Sequence, residues 1–261
     1  MLVFDWDDTL MASAVIGQGR LIPKRGEFVT ETFRQAFAVL EEAVRECLCE
    51  AAKHGEVIII TNARMGWVDK SARMFMPGLV PMLKTMNVFS ARDHYETLAS
   101  NTGNPVDWKA AAFTLTVREL FGLPPSDSDL PLNPKLQILS FGDSHAERIA
   151  VKHAATVLGT TSKSIKFYDA PSVGLLVAQV TTLTAWLPWL VAAKTNLDVK
   201  LEKPENHSSD RLLTLGHDAT EEIRRVFVLA PFMWSIASRA RNVARGPSLA
   251  LAARANARIS P

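Results

Sequence analysis

A chain of 261 residues can bury one full hydrophobic core and carry an appendage. Hydrophobic residues make up 48% and charged residues 21%, which is ordinary for a globular protein, and a net charge of +2 gives no general case for nucleic acid as a partner. Cys47 and Cys49 lie two apart in a predicted helix and face different ways, which favours free thiols and a reducing compartment. No stretch is read as the ~20 apolar residues of a membrane span, and no signal segment is seen, so we expect an intracellular, cytoplasmic protein.

The first predicted strand runs directly into a group of acids. Leu2-Val3-Phe4 is apolar and is followed by Asp5, Asp7 and Asp8. Side chains two apart on a strand share a face, so Asp5 and Asp7 can point into one pocket. Two carboxylates at such a short distance repel each other unless a proton or a cation lies between them. Mg²⁺ is a natural choice for this cation. This segment alone leaves a second interpretation open, namely an acidic turn after a strand.

Strands and helices alternate along the rest of the chain, as hydrophobic periodicity and Gly/Pro breaks indicate. The predicted elements are a flap at 11–26, a helix at 27–54, a strand at 57–61, a broken helix at 66–86, a strand at 88–90, a helix carrying Lys109, a strand from Leu136 to Gly142, a helix at 146–157, a strand at 164–168, a helix at 171–190 and an edge strand at 197–201. This alternation predicts an α/β protein with a Rossmann-like, doubly wound parallel sheet.

Polar residues follow three of the predicted strands at the point where each strand ends. Asp5 follows the first strand, Thr61-Asn62 end the second, and Asp143 follows the apolar run that ends at Gly142. Ligands of open parallel sheets bind at the carboxyl ends of the strands. These residues are therefore expected to form one site.

The segments also resemble the motifs of the haloacid dehalogenase-like superfamily of phosphohydrolases, over roughly residues 1–203. Asp5-Trp6-Asp7-Asp8-Thr9 is similar to the first motif, and Thr61 stands where the second has a hydroxyl. Lys109 fits the lone basic residue of the third motif. The segment 142–147 resembles the fourth, although its last acid is Glu147 where Asp is more usual.

The resemblance implies a Mg²⁺-dependent phosphatase that acts through an aspartyl-phosphate intermediate. Asp5 would be the nucleophile, and Asp7 would protonate the leaving oxygen and later deprotonate a water molecule. The expected Mg²⁺ ligands are Asp5, Asp7 (through its carbonyl) and Asp143, with Glu147 in support, and the expected phosphate-binding residues are Thr61, Asn62 and Lys109. A phosphotransferase of the same fold and a non-catalytic interaction module are the alternatives that the sequence leaves open.

The spacing between the motifs predicts a small-cap or capless protein. Both gaps that could hold a cap are under about fifty residues and are mostly needed for the sheet itself. An open site admits a phosphorylated small molecule or a phosphoprotein as substrate.

Residues 204–261 differ in kind from the predicted catalytic domain, residues 1–203. Pro204 to Asp210 is interpreted as a linker, and beyond Glu222 no acidic residue occurs although seven arginines follow. We expect a basic C-terminal extension that is helical or partly disordered and that can bind a partner through its arginines.

Overall fold

The computed structural model describes residues 1–18, 31–96, 103–123 and 136–201, together with the backbone of 213–215. Most of the predicted linker and basic extension, and the second half of the predicted flap, lie outside the described residues. The division into a catalytic domain and an extension stays a prediction.

One sheet of seven strands forms the centre of the described structure. The strands are β1 (Leu2–Phe4), β2 (Val57–Thr61), β3 (Asn87–Ser90), β4 (Gln137–Gly142), β5 (Thr161–Lys166), β6 (Leu197–Leu201) and β7 (Leu213–Leu215). Their spatial order is β3-β2-β1-β4-β5-β6-β7; the first six in chain order are parallel, and β7 pairs antiparallel with β6. The predicted Rossmann-like parallel α/β architecture is confirmed.

Helices cover both faces of this sheet. They are α1 (Ser13–Gln18), α2 (Glu31–Ala52), α3 (Trp67–Phe75), α4 (Val80–Leu83), α5 (Ala91–Tyr95), α6 (Pro105–Leu120), α7 (His145–Val157) and α8 (Val173–Ala192), with a 3₁₀ turn at Pro77–Leu79 before α4. Helices α2, α3 and α8 pack on one face, and α6 and α7 pack on the other. The predicted break at Pro77 is confirmed, whereas residues 13–18 of the predicted flap form helix α1.

Alternate residues of the central strands feed two separate cores. Leu2 and Phe4 of β1 belong to the core under α2 and α8, and the Phe4 ring stacks on that of Phe141 at a centroid distance of 4.5 Å. Val3 and its neighbour Ile58 of β2 belong to the core under α6 and α7. Because both faces are covered, β1 is apolar along its whole length and β2 is apolar up to Ile60, and this is why they were recognisable in the sequence.

The chain changes direction across the sheet between β1 and β4. From β1 it proceeds outward to β2 and β3, and it then returns to place β4 on the other side of β1. A crevice forms beyond the carboxyl ends of the two strands at such a switch point, and it is where ligands of open α/β sheets bind. The residues that follow β1 and β4 therefore face each other across this crevice.

Two sequence predictions on the other half of the sheet were wrong. Strand β5 begins at Thr161 rather than 164, because its first half is polar yet buried. Strand β6 is not at the edge, because β7 pairs on its outer side.

The expectation that no stretch of the chain approaches a membrane span in length and apolar character was wrong, because helix α8 does. By length and composition it is apolar enough to cross a membrane, and half of its most apolar window is buried inside the protein. Its buried residues, among them Leu176, Leu183 and Leu187, belong to the core that α2 also lines. Burial against the sheet and α2 is a sufficient physical reason for its apolar character.

A buried lysine of a neighbouring strand caps the C-terminal end of α8. Lys163 of β5 is fully buried, and its ammonium donates to the carbonyl oxygens of Leu190 at 2.5 Å, Val191 at 3.2 Å and also Ala193. The last carbonyls of a helix have no partner within the helix, and a cation placed there satisfies them and opposes the helix dipole. Lys163 also donates to the Gln137 side chain at 2.6 Å, so it joins α8 to the sheet.

We expect Lys163→Met to destabilise the fold, since Met keeps the length of the side chain and removes its donors. Leaving buried carbonyls without a donor should lower the free energy of unfolding by about 2 kcal/mol or more. Equilibrium urea unfolding measures this change. Lys200→Met, at an exposed position of β6, is the control and should stay within about 0.5 kcal/mol of the wild type. Equal stability of Lys163→Met and the control would contradict the capping role.

Candidate active site

Three acidic side chains meet at the switch point of the sheet. Asp5 follows β1, Asp143 follows β4, and Glu147 lies in the first turn of α7. One carboxylate oxygen from each lies within 4.8 Å of the other two, and Asp5 and Glu147 are buried while Asp143 is half-buried. We call these three residues the acidic triad. The sequence singled out all three, and the pairing of β1 with β4 explains why they meet.

A single buried lysine lies between two members of the acidic triad. Lys109 projects from α6, whose start is capped by the Asn104 side chain and fixed by Pro105. Its ammonium lies 2.7 Å from Asp5 Oδ1 and also donates to Glu147 Oε1. The contact with Asp5 is a buried ion pair. Lys109 is thus in place to neutralise charge on Asp5, and three acids share one lysine.

Burial and the nearby charges shift the pKa values of the site. Burial raises the pKa of Asp5 well above its usual value, and the attraction of Lys109 does not overcome it. Burial, with the nearby charges of Glu147 and Asp8, raises the pKa of Asp143 to about 7. Burial alone would lower the pKa of Lys109, but Asp5 and Glu147 raise it above its usual range. Without a further cation, protons must therefore compensate part of the negative charge.

The longer side chain of Glu147 contacts two elements at once. Oε2 accepts the backbone N–H of Ser144 at 3.0 Å and also the Ser144 hydroxyl. The Ser144 side chain in turn accepts the backbone N–H of Glu147, and this pair of side-chain-to-backbone bonds is a capping box at the start of α7. Its other oxygen accepts Lys109. The side chain passes so close to Gly142 that a Cβ atom there would lie 2.3 Å from Glu147 Cγ. Gly142 is therefore part of the site, since it leaves room for this acid.

The carboxylate of Asp7 is held apart from the acidic triad by hydrogen bonds. Its Oδ1 accepts the Trp67 indole N–H at 2.7 Å and the Ser13 hydroxyl, and its Oδ2 accepts the Thr61 hydroxyl at 3.1 Å. Ser13 and Trp67 were missed as site residues. No motif spacing marks either residue, because both reach Asp7 only through the fold.

The predicted phosphate-binding residues of β2 lie beside this acid. The Thr61 hydroxyl donates to Asp7 and accepts the Ala63 backbone N–H at 2.9 Å, so it already has partners on both sides. The Asn62 amide donates to the Pro105 carbonyl at 3.3 Å and so connects this loop to the start of the helix that carries Lys109. Whether Thr61, Asn62 and Lys109 bind phosphate stays a prediction.

A pocket of about 340 Å³ opens beside Thr61, between α3 and the edge strand β3. Leu83, Met86 and Val88 make it apolar on one side, and Arg64 also lines it. No member of the acidic triad lines this pocket. It is therefore next to the site and not over it.

Comparison with protein-family models, with curated proteins and with solved structures finds no significant match to this chain.

We expect Asp143→Asn to change how stability depends on pH when divalent cations are chelated. Folded Asp143 keeps its proton up to about pH 7, whereas in the unfolded chain it loses it near pH 3.8. The folded state binds more protons between these values, so this group makes stability fall as pH rises through that range. The fall should flatten in Asp143→Asn, which should melt at a higher temperature than the wild type above pH 7. Thermal unfolding at a series of pH values measures both effects.

For a matched variant, Asp198→Asn, we expect the melting temperature to change in the opposite direction. Arg148 and Lys152 outweigh the effect of burial and keep the pKa of Asp198 below its usual value, so Asp198→Asn should lower the melting temperature near pH 7. If Asp143→Asn also melted lower than the wild type above pH 7 without divalent cations, the electrostatic description of the site would be wrong.

Proposed function

We propose that this protein is a Mg²⁺-dependent phosphatase of the haloacid dehalogenase-like type, acting through an aspartyl-phosphate on Asp5. One observation carries the proposal: a buried acidic triad with a single shared lysine at the switch point of a parallel sheet. The order of the motifs along the sequence supports it independently.

The donor set fits a hard divalent cation. The triad offers only carboxylate oxygens, which suit Mg²⁺ better than the softer metals that prefer histidine or cysteine. Three acids beside one lysine also leave negative charge that a cation would neutralise. Asp5 and Asp143 would hold the ion, with Glu147 in support and the Asp7 carbonyl as a further ligand implied by the motif. When bound, Mg²⁺ would neutralise charge on the phosphate oxygens and orient them for in-line attack.

The residues of the chain would carry out two displacement steps. In the first, an Asp5 oxygen attacks phosphorus and the bond to the leaving oxygen breaks, while Asp7 gives that oxygen a proton. In the second, Asp7 takes a proton from a water molecule that attacks phosphorus, and the bond to Asp5 breaks. Lys109 lies 2.7 Å from Asp5 and would offset negative charge on the nucleophile and the transferring group.

Substrate class follows only in outline from this site. A phosphorylated small molecule or a phosphoprotein side chain would place its phosphate in the crevice between β1 and β4. A cytoplasmic location and a partner for the Arg-rich segment remain predictions from the sequence.

Two alternatives keep the same fold. A phosphotransferase would use the same intermediate with an acceptor other than water. A non-catalytic interaction module would keep the cation site without turnover. The Lys109 ammonium beside Asp5 favours catalysis, because it would offset negative charge on the transferring phosphoryl group.

We expect Asp5→Asn to abolish hydrolysis of a small aryl phosphate and to leave the fold intact, because the amide has nearly the same shape but is a poor nucleophile. A steady-state assay with circular dichroism checks both statements. Glu119→Gln, at an exposed position in the last turn of α6, should keep wild-type rates. Near wild-type turnover by Asp5→Asn, under conditions that exclude deamidation, would rule out Asp5 as the nucleophile.

We expect Mg²⁺ to raise both the rate and the melting temperature of the wild type, because a ligand that binds only the folded state stabilises it. Asp143→Ala should lose most of this thermal shift at the same Mg²⁺ concentration. A thermal shift without turnover on any phosphate ester would favour the interaction module. Activity that survives exhaustive chelation would contradict the proposed cation.

A further inference from the structure

We infer that helix α3 positions Asp7, through an indole clasp that directs one oxygen of this carboxylate, Oδ2, towards the leaving group. We define the indole clasp as Trp6 and Asp7 of the loop after β1, together with Trp67 and Ser71 of α3. This inference rests on the proposed function and adds to it the residues that orient its acid.

Hydrogen bonds of the indole clasp run in both directions between the loop after β1 and helix α3. The Trp6 indole N–H of the loop donates to the Ser71 hydroxyl of α3 at 2.9 Å, and the Trp67 indole N–H of α3 donates to Asp7 of the loop at 2.7 Å. Ser71 in turn donates to the Trp67 carbonyl at 2.7 Å, so the two bonds form one chain. Trp6 and Ser71 are fully buried. A link made in both directions fixes α3 relative to Asp7 more firmly than a single contact would.

The donors are distributed unequally over the two oxygens of Asp7. Oδ1 accepts Trp67 and Ser13, whereas among the residues that the structure describes Oδ2 accepts only Thr61, at 3.1 Å. A carboxylate oxygen has about two lone pairs, so Oδ1 is saturated and Oδ2 can accept one more partner. Oδ2 is therefore the oxygen that can exchange a proton with the substrate.

The proton balance of the two steps is consistent with this assignment. In the first step the Oδ2 proton moves to the leaving oxygen, which keeps the electron pair of the broken P–O bond, and Asp7 becomes a carboxylate. In the second step Oδ2 takes a proton from the attacking water. Trp67 suits its role because the indole N–H donates only and does not itself give up a proton.

The test compares substrates that differ in their need for an acid. A general acid matters more as the leaving group becomes more basic, so an alkyl phosphate needs it and an activated nitrophenyl phosphate hardly does. Trp67→Phe keeps an aromatic ring and removes the donor. The quantity compared is kcat/KM, because it reports the first step alone, whereas the second step needs Asp7 equally for both esters. We expect kcat/KM on the alkyl phosphate to fall about tenfold or more, and kcat/KM on the nitrophenyl phosphate to fall less than about threefold.

Three further variants make the experiment decisive. Ser13→Ala removes the second donor to Oδ1 and should show the same selective loss, which keeps the test open if Trp67→Phe folds poorly. Ser71→Ala removes the acceptor of the Trp6 indole N–H and should show the same selective loss, but a smaller one. Trp189→Phe, a partly buried indole of α8, is the matched control and should leave the ratio of the two rates unchanged.

The outcomes separate this inference from the proposed function. An active wild type whose Trp67→Phe and Ser13→Ala variants lose kcat/KM equally on both esters, or on neither, would overturn the clasp as a positioning device and leave the phosphatase standing. A wild type that hydrolyses neither ester, with Mg²⁺ present, would overturn the proposed function and this inference with it. Selective loss on the alkyl phosphate supports both.

Discussion

The ammonium of Lys109 is the centre on which this site depends. It is buried and shared between Asp5 and Glu147, while Asp143 adds a third acid beside them. Burying ions is costly, and removing one partner of a buried pair commonly costs about 3–5 kcal/mol because the other charge is left uncompensated. The site therefore cannot lose Lys109 without a change of protonation, and even with it the negative charge exceeds the positive. A site with this imbalance is prepared to accept a cation.

Several features of the fold stabilise this arrangement of Lys109 and the acidic triad. The switch between β1 and β4 brings Asp5 and Asp143 to the same crevice. Helix α6 must start close to the loop after β2, and Asn62 contacts its first residue, Pro105. Gly142 leaves room for the Glu147 side chain, which caps α7 with one oxygen and holds the lysine with the other. Sheet topology, helix start and side-chain size thus converge on one ion-pair network.

The sequence was informative wherever burial and polarity change abruptly. The strands β1, β2 and β4 are apolar on both faces and end in polar residues, so their positions and the acids after them could be predicted. The sequence was uninformative where buried polar residues are satisfied by hydrogen-bond partners. The first half of β5 contains Lys163, a polar residue whose donors are satisfied by the end of α8, and such partners leave no mark on hydrophobic periodicity.

The same reason explains what was missed around Asp7. Ser13 and Trp67 reach it from two different elements, and a single chain of letters does not record that these elements meet. The error on α8 is of another kind, because its apolar run is as expected for a helix covered by the sheet and α2. Around Asp7 the missing information is contact between distant segments, whereas the apolar run of α8 is visible in the sequence itself.

The most direct test of the account is to trap the phosphorylated intermediate. The wild type would be mixed with Mg²⁺ and an activated aryl phosphate, quenched in acid during the first turnovers, and digested for tandem mass spectrometry. We predict a phosphoryl group on Asp5 that is labile at neutral pH and absent from Asp5→Asn. A protein that turns over the ester in the same sample while carrying the phosphoryl group on another residue would contradict it.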